Sequence, residues 1–373
     1  MIRSYDNGTH VLHIVPGLLA GGMELGMVKV IAGLNGGRMR HSVAYLKGEP
    51  EIGDRLPPET SVYALNSRSN DVRVPGRIAR LIREVRPTVI HARNWGAWPD
   101  AVAGRLLTAN RTPLILSFHG LGRAGYMPLR RRAASWVMAR MSTRLVAVSN
   151  ESKELMASKW GWPRGRIEVI PNGVDTERFS PGERGERQGR LTIGTVGNLR
   201  PVKNHALLMR ACAALVRSGM DLELRIAGEG DERGNLVALA AAIGLGERLK
   251  LYGRVDDVPG FLRQLDVFVL SSDSEQHPNA LNEAMACGLA CVATRVGCVP
   301  ELLDEGRLGR IVPPGDAAAM VSAIKDMLAD AAERRILGEA ARERARDHYS
   351  LGAMLAAYER LYRECSGESA TVK

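Results

Sequence analysis

The chain is predicted to be an α/β protein built from two doubly wound, Rossmann-like domains in tandem, and three observations predict this. Its 373 residues exceed the usual size of one hydrophobic core. Short apolar, β-branched runs alternate with segments of helical period, the pattern of parallel strands joined by crossover helices. The pattern stops in a charged, Gly-rich stretch at residues 180–189 and restarts after it.

In the first half, strand-like runs fall at residues 10–15, 42–46, 61–65, 88–92, 114–118 and 144–148, with helical patterns at 72–85, 97–107 and 129–141 between several of them. Residues 11–20 are apolar but carry His13 and Pro16 and run into Gly21-Gly22, so a first β-strand is expected there rather than a signal segment. In the second half, strand-like runs fall at 191–196, 222–227, 267–270 and 291–293. The expected division is a first domain over 1–180, a second over 190–345, and a terminal segment over 346–373. Its apolar residues at helical spacing, 351–365, suit a helix packing back on the first domain. Doubly wound domains bind ligands at the carboxyl ends of their strands, so the chemistry is expected in a cleft there.

Composition bounds the function. Hydrophobic residues make up 45% and charged residues 25%, ordinary values for a globular protein and against disorder. Five cysteines, at 212, 287, 291, 298 and 365, form no CxxC pair and no dense framework, so they read as buried thiols in a reducing, cytoplasmic compartment. No apolar run approaches the roughly 20 residues that span a bilayer. The net charge of +10 is unevenly shared. Residues 1–180 hold 26 Lys and Arg against 14 Asp and Glu, or +12, and the remainder holds 25 against 27, or −2. Such a first half suits an anionic membrane surface or a phosphorylated acceptor, or is simply a soluble Arg-rich surface. Nucleic acid is not an expected partner, because no helix-turn-helix, zinc finger or aromatic RNA-binding signature is present.

The strand at 267–270 runs into Ser271-Ser272-Asp273-Ser274-Glu275-Gln276-His277-Pro278-Asn279-Ala280-Leu281-Asn282-Glu283. Pro278 suits the first turn of a helix ending near Gly288, since its missing N–H costs nothing there. The start of such a helix offers N–H groups and the positive end of its dipole to an anion. Glu275 precedes the helix and Glu283 lies about a turn and a half inside it. Two carboxylates so placed can each accept hydrogen bonds from a hydroxyl-bearing part of one ligand with a phosphate between them. A nucleotide sugar has that shape.

The pair Glu275-x7-Glu283, continued by Ala-Met-Ala-Cys-Gly-Leu, resembles the donor motif of retaining GT-B glycosyltransferases of family four, the glycosyl transferases group 1. Further stretches match in order: Gly21-Gly22-Met23-Glu24, Phe118-His119-Gly120, the run Ile-Pro-Asn-Gly-Val-Asp from Ile170, Gly197-Asn198-Leu199-Arg200-Pro201-Val202-Lys203, Ala227-Gly-Glu-Gly230 and Gly297-Cys-Val-Pro-Glu301. The resemblance implies a hexosyltransferase with the GT-B fold. It would move sugar with retention from a nucleotide diphosphate donor to a sugar or lipid-linked acceptor, in cell-surface polysaccharide or glycolipid synthesis. It also implies an acceptor-side first domain and a donor-binding second one.

Residue by residue, the resemblance implies that Glu283 holds the donor ribose and Glu275 faces the transferred sugar. Lys203 neutralises the diphosphate, and His119 sits beside the reacting sugar as a hydrogen-bonding group. The catalytic set is then His119, Lys203 and Glu275. The donor-binding set is Gly21, Gly22, Asn198, Arg200, Lys203, Glu275, Gln276, His277, Pro278, Asn279, Ala280, Leu281 and Glu283. No Asp-x-Asp occurs, the nearest approach being Asp273-Ser-Glu275, so neither a metal nor another cofactor is expected.

Asn198 departs from the pattern, because similar enzymes often carry Arg five residues before the lysine; Arg200 is the expected substitute. Gln276 and His277 also depart, which leaves the donor sugar open. The alternative from another class is a non-catalytic nucleotide-sugar-binding or scaffold protein. Residues 128–140 combine Arg130, Arg131, Arg132 and Arg140 with Trp136, which suits either a peripheral contact with an anionic membrane or an ordinary helix packed on the sheet.

Overall fold

The structure, a computed structural model, describes residues 8–19, 21–36, 39–68, 71–108, 111–120, 127–182 and 189–367. The chain divides into two compact units, one ending at Asn172 and rejoined by the segment from Gly352, the other running from Gly173 to Leu351. The break thus falls ahead of the charged stretch at 180–189, of which residues 183–188 lie outside the described residues.

Among the described residues, the first unit carries the strands β1 (Thr9–Val15), β2 (Met39–Tyr45), β3 (Ser61–Ala64), β4 (Val89–Arg93), β5 (Leu114–Phe118), β6 (Arg144–Ala147) and β7 (Ile167–Val169). They form one parallel sheet in the order β3-β2-β1-β4-β5-β6-β7. The residues at 10–15 are therefore a strand, buried throughout. Strand β7 is an addition to the six expected; three residues are too few to show a period. One face of the sheet packs Leu12, Ile14, Ile90, Leu114 and Leu116 on helix Val74–Val85 and helix Trp98–Leu106. The other packs Val15, Val43 and Tyr45 on Met27 and Ile31 of helix Gly22–Leu34. Helix Leu351–Ser366 also covers that second face, where the hydroxyl of Tyr362 lies 2.8 Å from Nδ1 of His91.

The second unit carries β8 (Leu191–Val196), β9 (Leu222–Ala227), β10 (Leu249–Gly253), β11 (Val267–Leu270), β12 (Ala290–Thr294) and β13 (Arg310–Val312), parallel and in the order β10-β9-β8-β11-β12-β13. Strands β10 and β13 add to the four expected. In β10 exposed and half-buried residues precede the buried Gly253, so no continuous apolar run marks it. Two apolar clusters flank the sheet. One is centred on Leu208, Ile226, Val269 and Ile324, the other on Phe268, Leu281, Met285 and Leu302.

All five cysteines are free and buried, and no group of three or more His, Cys, Asp or Glu side chains fit to hold a metal occurs among the described residues. No helix among them is long and apolar enough to cross a membrane.

Candidate functional site

In the second unit the strand order reverses between β8 and β11, and the loops leaving those neighbouring strands diverge at the switch point where doubly wound sheets bind ligands. Lys203 lies on the first loop, in a single 3-10 turn Pro201–Lys203, and Glu275 on the second. The fold brings them together: Lys203 Nζ donates to Glu275 Oε1 at 2.5 Å, and the Ser272 hydroxyl donates to the same oxygen at 2.8 Å. Both side chains are mostly covered, 27% and 13% exposed, so the pair is screened less than a surface ion pair.

Both loops are stitched in place. Asp273 N–H donates to the Val202 carbonyl, the Ser271 hydroxyl to the Lys203 carbonyl, and the Asn204 amide to the Asp273 carboxylate. Asn204 itself adopts a left-handed conformation, φ 44°, and its Oδ1 caps helix His205–Arg217 by accepting from Leu207 N–H. Behind the Glu275 loop, Gly297 has φ 51°, and a Cβ there would strike the carbonyl of Glu275. Only glycine lets the two backbones approach this closely, and Cys298 N–H bonds the Gln276 carbonyl across the gap.

Helix Asn279–Ala286 begins one residue later than expected. Pro278 is its N-cap rather than its first helical residue, and no side chain caps it. The positive end of this helix therefore follows the Glu275 loop directly. Glu283 is half-buried in the fifth helical position, and Gln276, Asn279 and Ala280 are half-buried beside it. Leu281 is buried in the core, so it supports the helix from below. His277 is buried too, its ring edge-on to Tyr349 at 5.7 Å, which makes it part of the wall that holds the loop. Asn198 and Arg200 are both exposed on the loop after β8. Among the described residues Arg200 makes no ion pair.

The remaining site residues belong to the first unit. Gly21 is the N-cap of helix Gly22–Leu34, with extended backbone, φ −123°. Its conformation does not demand glycine; a Cβ there would meet the flexible Glu24 carboxylate.

His119 follows β5 and is held on three sides. Asn94 Oδ1 accepts from its backbone N–H at 2.7 Å. Its ring Nε2 lies 3.0 Å from Ser117 Oγ and 3.3 Å from Arg93 Nη1. Burial first, and the Arg93 charge second, push its pKa well below the usual histidine value, so the ring is neutral. Arg93, Asn94 and Ser117 were not singled out from sequence. The one signal was an Arg ending a short strand, and only the sheet register at Arg93↔Ser117 gives it meaning.

Residues 8–178 match the family described as Glycosyltransferase Family 4, and residues 176–344 match that described as Glycosyl transferases group 1. The N-acetyl-alpha-D-glucosaminyl L-malate synthase of Bacillus anthracis is 28% identical over 220 residues; the match spans 57% of this chain and 56% of that relative, little more than half its length. The D-inositol 3-phosphate glycosyltransferase of Pseudarthrobacter chlorophenolicus is 29% identical over 308 residues, 74% of this chain and 72% of the relative. Among solved structures, Anabaena Alr3699/HepE in complex with UDP superimposes with a TM-score of 0.82 at 18% identity, covering 95% of this chain and all of the other.

Proposed function

The chain belongs to glycosyltransferase family four and has the GT-B fold, and from that premise we propose that it transfers a hexosyl unit, with retention, from a UDP- or GDP-linked sugar to an acceptor in cell-surface polysaccharide or glycolipid synthesis. The observation that carries the reading is the Lys203–Glu275 pair at the β8/β11 switch point, next to an uncapped helix N-terminus. These are the two charges a nucleotide sugar needs there. On binding, Lys203 exchanges the Glu275 carboxylate for diphosphate oxygens, and Glu275 exchanges the ammonium for sugar hydroxyls. Glu283 accepts from the ribose hydroxyls. The leaving diphosphate gains charge in the transition state, and Lys203, the helix end and Arg200 stabilise it without a metal.

Mass spectrometry of products from a panel of UDP- and GDP-sugars tests this reading. Release of one nucleotide with net sugar transfer is expected; donor binding without any turnover would favour the scaffold reading. The Anabaena protein is solved with UDP-glucose as well as UDP, so uridine donors head the panel. Arg200→Ala sharpens the assignment. Losing a charge felt in the transition state lowers kcat by roughly one to three decades with little change in KM, and Asn198→Arg in that background restores part of it. Wild-type kcat in Arg200→Ala would remove Arg200 from the site.

We also propose that helix Leu129–Met141 contacts an anionic lipid surface. Leu129 is 77%, Trp136 44% and Val137 47% exposed. With Ala133 they form one stripe at helical spacing, beside the exposed Arg130 and Arg131. Part of the arginine cluster is engaged within the unit: Arg132 bonds the Lys159 carbonyl, and Arg140 stacks on Trp136 at 3.7 Å. Arg131 also lies over the Trp95 ring at 5.6 Å but keeps an exposed side, so Arg130 and Arg131 are the two exposed arginines to test. Co-sedimentation with phosphatidylglycerol vesicles, lost in Arg130→Gln/Arg131→Gln and absent with phosphatidylcholine, is the expected result; no sedimentation of the wild type would refute it.

A further inference from the structure

Arg93 is 1% exposed at the end of β4, and it has no carboxylate partner among the described residues. Its Nε and Nη2 are buried without a hydrogen-bond acceptor, and its guanidinium carbon lies 5.5 Å from the Tyr358 ring centre. An arginine so enclosed is costly to keep, and burial cannot be relieved by deprotonation at that residue. Its Nη1 lies 3.3 Å from Nε2 of His119.

That contact fixes the chemistry of the imidazole. A guanidinium has only donors, so His119 Nε2 must supply the lone pair, and the ring proton must sit on Nδ1. The Ser117 hydroxyl at 3.0 Å then donates to the same lone pair. The backbone is fixed as firmly as the ring. Asn94 is held left-handed, φ 60°, with its N–H on the Ser117 carbonyl and its Oδ1 on the His119 N–H, and Gly120 follows at φ 144°. Nδ1, which carries the proton, is buried and has no partner among the described residues.

We propose that Arg93 is a positioning residue that locks His119 as the neutral Nδ1–H tautomer, making it an obligate hydrogen-bond donor to a bound sugar oxygen and barring it from acting as general base. The inference rests on the reading that His119 lies beside the reacting sugar, and deepens it. With Nε2 taken by Arg93 and Nδ1 already protonated, the ring has no lone pair for an acceptor proton. The acceptor hydroxyl must therefore lose its proton to another group. The depressed pKa of His119, caused by burial and by Arg93, supports the same state.

Nitrogen-15 NMR of the full-length, histidine-labelled protein tests the lock, with the His119 resonances assigned by their loss in His119→Gln. A neutral ring with the proton on Nδ1 is expected in the wild type at pH 7. In Arg93→Met a proton should appear on Nε2, as the other tautomer or as imidazolium, and kcat should fall roughly ten- to a hundredfold while donor KM stays within about twofold. Arg93→Lys keeps a cationic donor and should restore the Nδ1–H form and most of the rate. A wild-type ring protonated on Nε2 overturns the proposal, and so does an Nε2 as bare in Arg93→Met as in wild type. The wild-type spectrum decides the tautomer even if Arg93→Met fails to fold. Full turnover by His119→Gln would instead overturn the placement of His119 in the site, a result separable from the ring's protonation.

Discussion

The two sheets share a strand plan and differ in what they bury. In the second unit, β8, β11 and β12 are packed with Ile193, Val267, Val269 and Val292, and buried polar groups such as Ser271, Ser272 and Thr294 sit where the strands end. In the first, His13, His41, His91 and Arg93 are buried on a single sheet face under Tyr358 and Tyr362. His13 Nε2 lies 3.0 Å from His41 Nδ1, and these two rings stack at 5.3 Å. The difference teaches where each unit keeps its chemistry. A loop site on an apolar core is tuned by the loop, whereas a residue at the end of a polar ladder is tuned through the sheet, where a change at one strand alters the charge state of another.

The largest expected break between the units is in acid. Above about pH 6.5 the buried histidines of the first unit are neutral whether folded or unfolded. Below it the unfolded chain takes up protons that the folded sheet refuses. Burial, reinforced by neighbouring charge, pushes His10 and His41 down to about 4, and His13, His91 and His119 well below the usual value. Stability is therefore full above 6.5 and lost as pH falls from 6.5 toward 4, by about 1 kcal/mol per histidine for each pH unit. In the second unit, His205 is likewise pushed to about 4 by burial, against five such histidines in the first. Hydrogen exchange at pH 7 and 5, corrected for intrinsic rates, should show protection lost first in β1, β2 and β4. Equal loss in β8 and β11 would erase the contrast.

Next in size is Lys203→Ala. Removing the cation aimed at the leaving diphosphate should cost about 3–4 kcal/mol of transition-state stabilisation, two to three decades in kcat, with the melting temperature nearly unchanged because the bonds that stitch the loop do not use the Lys203 side chain. Steady-state kinetics and calorimetric melting decide; undiminished kcat would dissociate the pair from catalysis.

Glu283→Ala should act on donor affinity. Loss of a charged acceptor for the ribose is worth about 1.5–3 kcal/mol, roughly ten- to a hundredfold in Kd by titration calorimetry, whereas Glu275→Ala should depress turnover more than binding. Equal donor affinity in wild type and Glu283→Ala would remove the ribose assignment. Smallest of all should be the effect of excess EDTA, less than about twofold on rate, because Lys203 and the helix end supply the positive potential. Abolition by EDTA with rescue by manganese or magnesium would end the metal-independent reading.

Much of the second unit's site was legible because it is contiguous. Glu275, Pro278 and Glu283 lie within nine residues, and local rules for strand exit, proline and helix start place them without any tertiary information. In the first unit the sequence pointed to Gly21, Gly22 and His119, and to His119 through the family resemblance rather than through its place at a strand end. Arg93, Asn94 and Ser117 stayed hidden because a strand Arg reads as an edge or surface residue until the register of β4 against β5 is known. Strands β7, β10 and β13 escaped for a simpler reason: each is short or interrupted by exposed residues, so none shows a usable period.

The sequence by itself determined the alternation of strands and helices and the strand, loop and helix that carry Glu275 and Glu283, since each is written in neighbouring residues whose spacing the backbone geometry converts directly into structure, and its ordered motifs carried the family resemblance. Tertiary structure alone decided that Lys203 meets Glu275 across 72 residues, that Tyr362 reaches His91 across 271, and that Arg93 meets His119 across 26. These are consequences of strand order and register. No local pattern encodes them, because hydrogen bonds and buried charges act over a few ångströms of space rather than along the chain.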